Sequence, residues 1–218
     1  MVFRLHAIRH AEGIHNLTHD KSILDPQLTQ NGIQQSERLS QTFPYAQDVG
    51  LVITSPLRRT LETALVGFQQ TLDQKYFNTA EDPGKGCPGG AQLLIEPDLQ
   101  AHSARPCDTG SEQSILRVEF PDLPWDEVAF DLDFPSKEGR YATDVVSLQQ
   151  RGHRMHRTLE KAFHMLAGTG LPDIAFVSHG GFMKFVALDD KVAIDGAGWK
   201  TFLVTFGASH NMQVVGVE

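Results

Sequence analysis

The chain has 218 residues, 40% of them hydrophobic, which is enough for one ordinary domain to bury a sizeable core without disulfide or metal support. A formal net charge of −8 excludes the broad basic face that binds nucleic acid or an anionic membrane, so a phosphorylated substrate calls for a local positive pocket. Cys87 and Cys107 each lie in a Pro-containing stretch and form neither a disulfide framework nor a metal-ligand spacing, which fits a reducing compartment.

Val2 to Ile8 alternates loosely between apolar and polar residues and ends at Arg9-His10, as a strand does when it delivers side chains to a sheet edge. Arg4, His6, Arg9 and His10 break up its apolar positions, leaving too short a run for a signal peptide, and no later run is long enough to span a bilayer; the expected location is the cytosol. Leu28, Gly32, Ser36, Leu39 and Phe43 recur at helical steps and predict a first helix, with Asp25 expected to cap or orient it. Leu51 to Thr54 predicts a short strand, after which Ser55 can cap a new helix with Pro56 in its first turn. Across residues 73–142, prolines and glycines break the periodicity, and only Leu93-Leu94-Ile95 and Glu112–Glu119 look regular; this stretch reads as an inserted lid, not a second domain.

From Val145, the spacing of Leu148, Gly152, Met155, Leu159, Ala162 and Leu166 predicts an amphipathic helix that stops near Gly168 and Gly170. Ile174 to Val177 predicts a buried strand, Ser178-His179-Gly180-Gly181 turns it into another helix, and Thr201–Phe206 and Gln213–Val217 are the final strands. The alternation predicts one α/β domain over 1–218, a three-layer α/β/α sandwich with a mainly parallel central sheet and an inserted lid. Ligands of such sheets sit beyond the carboxyl ends of the strands, and three of those ends carry Arg9-His10, Ser55 to Arg59, and His179.

Arg9-His10-Ala11-Glu12 followed by Asn16 is similar to the R-H-G-E-x-x-x-N signature of the histidine phosphatase (phosphoglycerate mutase-like) superfamily, with Ala11 in place of glycine. Asp25 to Thr29 with Gly32 resembles its D-x-x-L-T-x-x-G segment, and Ser55 to Ala64 resembles S-P-L-x-R-A-x-x-T-A, a register that assigns Arg59 rather than Arg58 to the pocket. Val177 to Gly181 resembles V-S-H-G-G, and Pro106-Cys107-Asp108-Thr109-Gly110 resembles a lid element of fungal and plant members. A lone Arg-His pair carries little information, whereas this ordered set is specific.

The resemblance implies a phosphoglycerate mutase-like fold and phosphoryl transfer to His10, with Arg9, Asn16 and Arg59 on the phosphate, His179 as second histidine, and no metal or other cofactor. The chemistry suits these residue types. Guanidinium forks offer paired donors to phosphate oxygens, and an imidazole with an ordinary pKa of about 6.5 presents a neutral nitrogen near neutrality. His179 would donate to an oxygen as charge shifts in the transition state, since phosphoryl transfer depends chiefly on positioning and electrostatics.

One position departs from the family. Its lid glutamate, which protonates the leaving oxygen, aligns with Ala101 of Leu99-Gln100-Ala101. A positioned general acid contributes about 10²–10⁴-fold, so another group is needed, and His102 is the adjacent candidate, with Asp108 and Glu112 as further ones. The expected function is a metal-independent phosphatase of a small phosphorylated metabolite, acting through a phosphohistidine. The alternatives are a non-hydrolytic lyase or isomerase of secondary metabolism that uses the pocket for a carboxylate, and a phosphate-binding pseudoenzyme; mutase activity is disfavoured by the missing glutamate. Neither nucleic acid nor membrane is an expected partner, and a homodimer is left open.

His15 and His19 lack a carboxylate or cysteine at metal-ligand spacing and read as solvated loop residues. His153, His156 and His164 lie off the apolar face of their helix and also read as solvated. Glu12 reads as a supporting residue, and Phe130, Phe134 and Tyr141 as lid packing.

Overall fold

A computed structural model describes residues 2–78, 80–128, 133–187, 192–206 and 212–216. Its strands are β1 (Phe3–Arg9), β2 (Val49–Thr54), β3 (Gln92–Ile95), β4 (Asp173–Ser178), β5 (Trp199–Phe206) and β6 (Met212–Gly216). The helices are α1 (Ile14–Leu17), α2 (Gln30–Thr42), α3 (Arg58–Gly67), α4 (Gln113–Glu119), α5 (Val145–Leu166) and α6 (Gly180–Ala187). The strands form one sheet in the order β3-β2-β4-β1-β5-β6. β1, β2, β3 and β4 run parallel, whereas β5 pairs antiparallel with β1 and β6 antiparallel with β5. The expected mainly parallel α/β sheet is therefore present as a mixed one. Val217 and Phe130 lie outside the described residues.

Alternation along each strand divides the core between two faces, because successive side chains point to opposite sides of the sheet. Ile8, Val52, Ala175 and Val177 pack with Leu39 and Phe43 around α2, with Leu61 and Ala64 of α3, and with Tyr76, Leu116 and Trp125 of the 73–142 stretch. Leu5, Ala7, Leu51, Ile53, Ile174 and Phe176 meet Leu148, Met155 and Leu159 of α5 and Phe182, Met183 and Val186 of α6 on the other face. Every residue of the central strand β4 is buried, as its unbroken apolar run requires when helices cover both faces.

Three local expectations are corrected. Gln92–Ile95, read as part of a lid, is a strand of the main sheet in parallel register with Leu51–Thr54. Ser55 does not open the second helix: α3 begins at Arg58, and the Ser55 hydroxyl is turned to other partners. Asp25 does not cap α2, whose N-cap is Thr29, its hydroxyl accepting the Gly32 N–H at 2.9 Å. Instead the Asp25 carboxylate accepts the Arg58 N–H at the start of α3 (3.1 Å) and the Ser111 N–H (2.9 Å), joining three segments far apart in sequence.

The loop after β1 is held against α2 at very close range. The Glu12 carbonyl accepts the Thr29 N–H at 2.9 Å, and a Cβ added to Gly32 would come within 2.2 Å of that same oxygen. Gly32→Ala would gain about 1 kcal/mol of helix propensity, but the clash is with backbone and cannot be relieved by a rotamer change. Forced overpacking costs roughly 1–3 kcal/mol, so urea denaturation of Gly32→Ala should show a net loss of stability, and an unchanged or raised midpoint would refute the close approach.

Candidate active site

Parallel pairing sets the site. With Arg9 opposite Ser178 in register, the His10 N–H donates to the Ser178 carbonyl at 3.0 Å, and the Ser55 N–H donates to the Val177 carbonyl at 3.1 Å. The carboxyl ends of β1, β2 and β4 thus lie side by side, each passing directly into a loop that carries a motif residue. The His10 and His179 rings are 5.2 Å apart, and both residues are buried, 5% and 3% exposed.

The hydrogen bonds fix both tautomers. His10 Nδ1 lies 2.7 Å from the Ala11 carbonyl, which can only accept, so Nδ1 carries the proton and the lone pair is on Nε2. Arg59 Nη2 lies 2.9 Å from His179 Nδ1, and a guanidinium can only donate, so the His179 proton is on Nε2 and points to Ser55 Oγ at 3.1 Å. Burial first, and then the Arg59 charge, hold both imidazoles well below the ordinary histidine range. Both rings are neutral at neutral pH.

Arg59, 1% exposed, is the cation around which the site is arranged. Its Nη1 donates to the Cys107 carbonyl at 2.6 Å, and its Nη2 also donates to Asp108 Oδ1 at 3.1 Å, while its buried Nε has no partner among the described residues. Arg9 is half-buried, donates to the Ile194 carbonyl at 3.0 Å, and likewise keeps a buried Nε without a partner. A Cβ on Gly180 would sit 3.5 Å from that Nε, which locates Arg9 against the His179-Gly180 turn. Asn16 is half-buried on α1, and its amide oxygen accepts the Gly13 N–H at 3.0 Å, leaving the NH₂ as its donor. Arg58 is turned away from this group, with both Glu119 oxygens at 2.6 Å from its guanidinium.

His102 is solvent-exposed, yet its ring packs over Gly181, where a Cβ would meet it at 2.3 Å. Desolvation, Lys184, Lys137 and Arg105 lower its pKa against the opposing pull of Asp108. Asp108 is half-buried, with Oδ1 on Arg59 and Oδ2 accepting the Ser103 hydroxyl at 2.6 Å. Glu112 is exposed at the start of α4. Glu12 accepts the Thr29 hydroxyl at 2.6 Å and serves the loop.

Sequence reasoning missed His15. Read as solvated, it is 9% exposed, its ring is 6.0 Å from that of His10, and its buried Nδ1 has no partner. A helix as short as α1 shows no periodicity, so the sequence carries no signal for this burial. His19 is exposed, as are His153 and His164, whereas His156 is half-buried and donates to the Val186 carbonyl at 2.6 Å. Arg151 was also missed. It is fully buried and donates to the carbonyls of Asp98, Gln100 and Ala101; its spacing from Leu148 and Met155 was the available signal. Among the described residues no group of three or more His, Cys, Asp or Glu side chains is placed to hold a metal ion, and no helix is long and apolar enough to cross a membrane.

Burial, with the Arg59 charge next, pulls the His15 pKa from 6.5 down to about 4. The folded state therefore leaves this ring neutral between those values, where the unfolded chain binds the proton, so stability falls as pH drops from 6.5 towards 4. Replacing His15 with Asn removes that linkage. Denaturation midpoints at pH 5 and pH 7.5 should differ less for His15→Asn than for the wild type, and an equal or larger difference would contradict the burial.

Residues 5–75 match the family model of the histidine phosphatase superfamily (branch 1). A protein of Schizosaccharomyces pombe named as a probable phosphatase is 28% identical over 128 residues, covering 58% of this chain and 53% of its own. Phosphoglycerate mutase-like protein 2 of Arabidopsis thaliana is 25% identical, covering 82% of this chain and 64% of its own. The chain thus spans between about half and two thirds of the length of these two relatives. Among solved structures, a phosphoserine phosphatase of Entamoeba histolytica in complex with 3-phosphoglyceric acid aligns with a TM-score of 0.55 at 19% identity, covering 97% of this chain and 94% of its own. Mycobacterial hydrolase 1 aligns with a TM-score of 0.60 at 15% identity over the whole of both chains. The ordered motifs, the match over residues 5–75 and the fungal and plant relatives together make this chain similar to the histidine phosphatase superfamily.

Proposed function

We propose that the protein is a metal-independent phosphatase of a small phosphorylated metabolite, with His10 as the phosphate-accepting nucleophile. The supporting observation is the tautomer of His10: its Nδ1–H is spent on the Ala11 carbonyl, so Nε2 holds a free lone pair in a neutral ring. Around it, Arg9 Nε, Arg59 Nε and His15 Nδ1 are buried polar atoms without partners among the described residues, a costly state that oxyanion oxygens would relieve for the two N–H donors. The names of the relatives, a probable phosphatase among them, agree with this reading.

In the first step His10 Nε2 attacks phosphorus in line with the ester oxygen. Arg9, Arg59 and the Asn16 NH₂ bind the phosphoryl oxygens, and His179 Nε2–H leaves Ser55 to donate to one of them as charge shifts. The proton for the leaving oxygen comes from the 99–102 side of the pocket, where Ala101 replaces the family's glutamate and His102 stands. Water then attacks the phosphohistidine and releases phosphate.

Ala101 also favours a second reading, in which the pocket holds an oxyanion without hydrolysis, as in a lyase or isomerase acting on a carboxylated metabolite or in a binding protein. Incubation with a panel of aryl and alkyl phosphomonoesters from pH 5 to 8 decides between them. Phosphate release by the wild type, its abolition in His10→Ala, and an acid-labile phosphoryl group trapped on His10 are the expected results. Calorimetric phosphate binding with no release and no labelled histidine would support the second reading and remove the first.

A further inference from the structure

The 73–142 stretch brings an unexpected charge to the side of the pocket where the family's glutamate is missing. The Lys137 ammonium donates to the Ala101 carbonyl at 3.0 Å and to Gln100 Oε1 at 2.5 Å. Both acceptors are neutral, and among the described residues no carboxylate lies within ion-pair distance of this lysine. Lys137 is half-buried, and an ammonium partly withdrawn from water is ordinarily paired, because losing hydration without a counter-ion is costly. Among the described residues its third N–H has no acceptor.

The segment that anchors Lys137 lies across the second histidine's turn. The Ser178 hydroxyl donates to the Leu99 carbonyl at 2.8 Å, Gln100 and Ala101 are buried, and His102 covers Gly181. Arg151 of α5 grips the Asp98, Gln100 and Ala101 carbonyls from behind, which fixes the acceptors that hold Lys137. Gln100 Nε2, buried beside them, has no partner.

We infer that Lys137 is the general acid that replaces the family's glutamate, protonating the leaving oxygen of the substrate and then activating the attacking water. The inference rests on the phosphatase reading and deepens it. In the first step the P–O ester bond breaks as the His10 Nε2–P bond forms, and the departing oxygen takes its electron pair and a proton from the ammonium. In the second, the neutral amine accepts a proton from water as the water oxygen bonds to phosphorus and the N–P bond breaks, which restores the ammonium and neutral His10.

The electrostatics fit this cycle. Burial, Arg151 of α5 and Arg59 of α3 bring the Lys137 pKa down to about 7 against the pull of Asp108 and Asp25, and a general acid works best with a pKa near the working pH. The Lys137 charge in turn lowers His102 and His179, so it is felt at both rings. His102 is exposed, and its lowered pKa leaves less of it in the proton-donating form at neutral pH.

A series of aryl phosphates, from p-nitrophenyl to phenyl phosphate, tests the assignment, because only poor leaving groups need the proton. The wild type should show a shallow dependence of kcat/KM on the acidity of the phenol. Lys137→Met should lose about 10²–10⁴-fold with phenyl phosphate and far less with p-nitrophenyl phosphate, and should lose the basic limb of the wild-type pH profile. Lys137→Arg keeps the charge but cannot release a proton, so it should show the same selective loss. Rescue by Arg, an equal loss for all esters, or a selective loss in His102→Ala instead would each overturn the assignment. A steep dependence already in the wild type would remove the acid but keep the phosphatase, whereas no turnover of any ester would remove both.

Discussion

The site depends on one buried cation. The Arg59 guanidinium leaves α3, crosses to the end of β4 to meet His179, and reaches the Cys107 and Asp108 turn of the long insertion. Three elements far apart in sequence are thereby tied through one planar group whose N–H directions are fixed. The same charge lowers the affinity of His10, His15 and His179 for protons. Geometry and protonation state therefore have a common origin, and a lysine at this position would reproduce the charge but not the divergent donors.

Around that cation the sheet does the coarse positioning. Parallel β1, β2 and β4 end at one edge, and single backbone bonds from His10 and Ser55 to the Ser178 and Val177 carbonyls set the loops in register to within one residue. A slip of one residue would turn His10 to the opposite face, because strand side chains alternate. The two apolar layers that flank the sheet make such a slip expensive, since Ile8, Ala7, Val177 and Phe176 would all change sides. Core packing is thus what guards the spacing of the two imidazoles.

The parts legible in the sequence are those written in local periodicity or in motifs whose spacing the sheet fixes: the strands before His10, Ser55 and His179, and the faces of α2 and α5. What stayed hidden depends on contacts between distant segments. Asp25 looked like a cap for the helix beside it because its true acceptor role, on the Arg58 N–H, is 33 positions away. Ser55 looked like a cap because the demand of His179 Nε2 on its hydroxyl is invisible in one dimension. Gln92–Ile95 was absorbed into the irregular stretch because four residues between Pro- and Gly-rich segments show a strand only once β2 is beside them. Lys137 carries no local signal in such a stretch, because the Gln100 and Ala101 oxygens that face it lie 37 and 36 positions away.

The proposed exchange of a carboxylic acid for an ammonium at one edge of the pocket is less drastic than the reversal of charge implies. Burial penalises whichever form is charged, so it raises a carboxyl pKa and lowers an amine pKa, and both move towards neutrality. This chain contains the two cases. Desolvation is the largest cause that brings the Glu62 carboxyl up to about 7, and it is the largest cause that brings the Lys137 ammonium down to about 7. A half-enclosed position can therefore poise either side chain for proton transfer near pH 7, and the choice between them changes the field instead. A glutamic acid becomes an anion as the phosphoryl group leaves its oxygen, whereas an ammonium becomes neutral, so the nitrogen acid attracts the incoming dianion and gives up that attraction once the proton has passed.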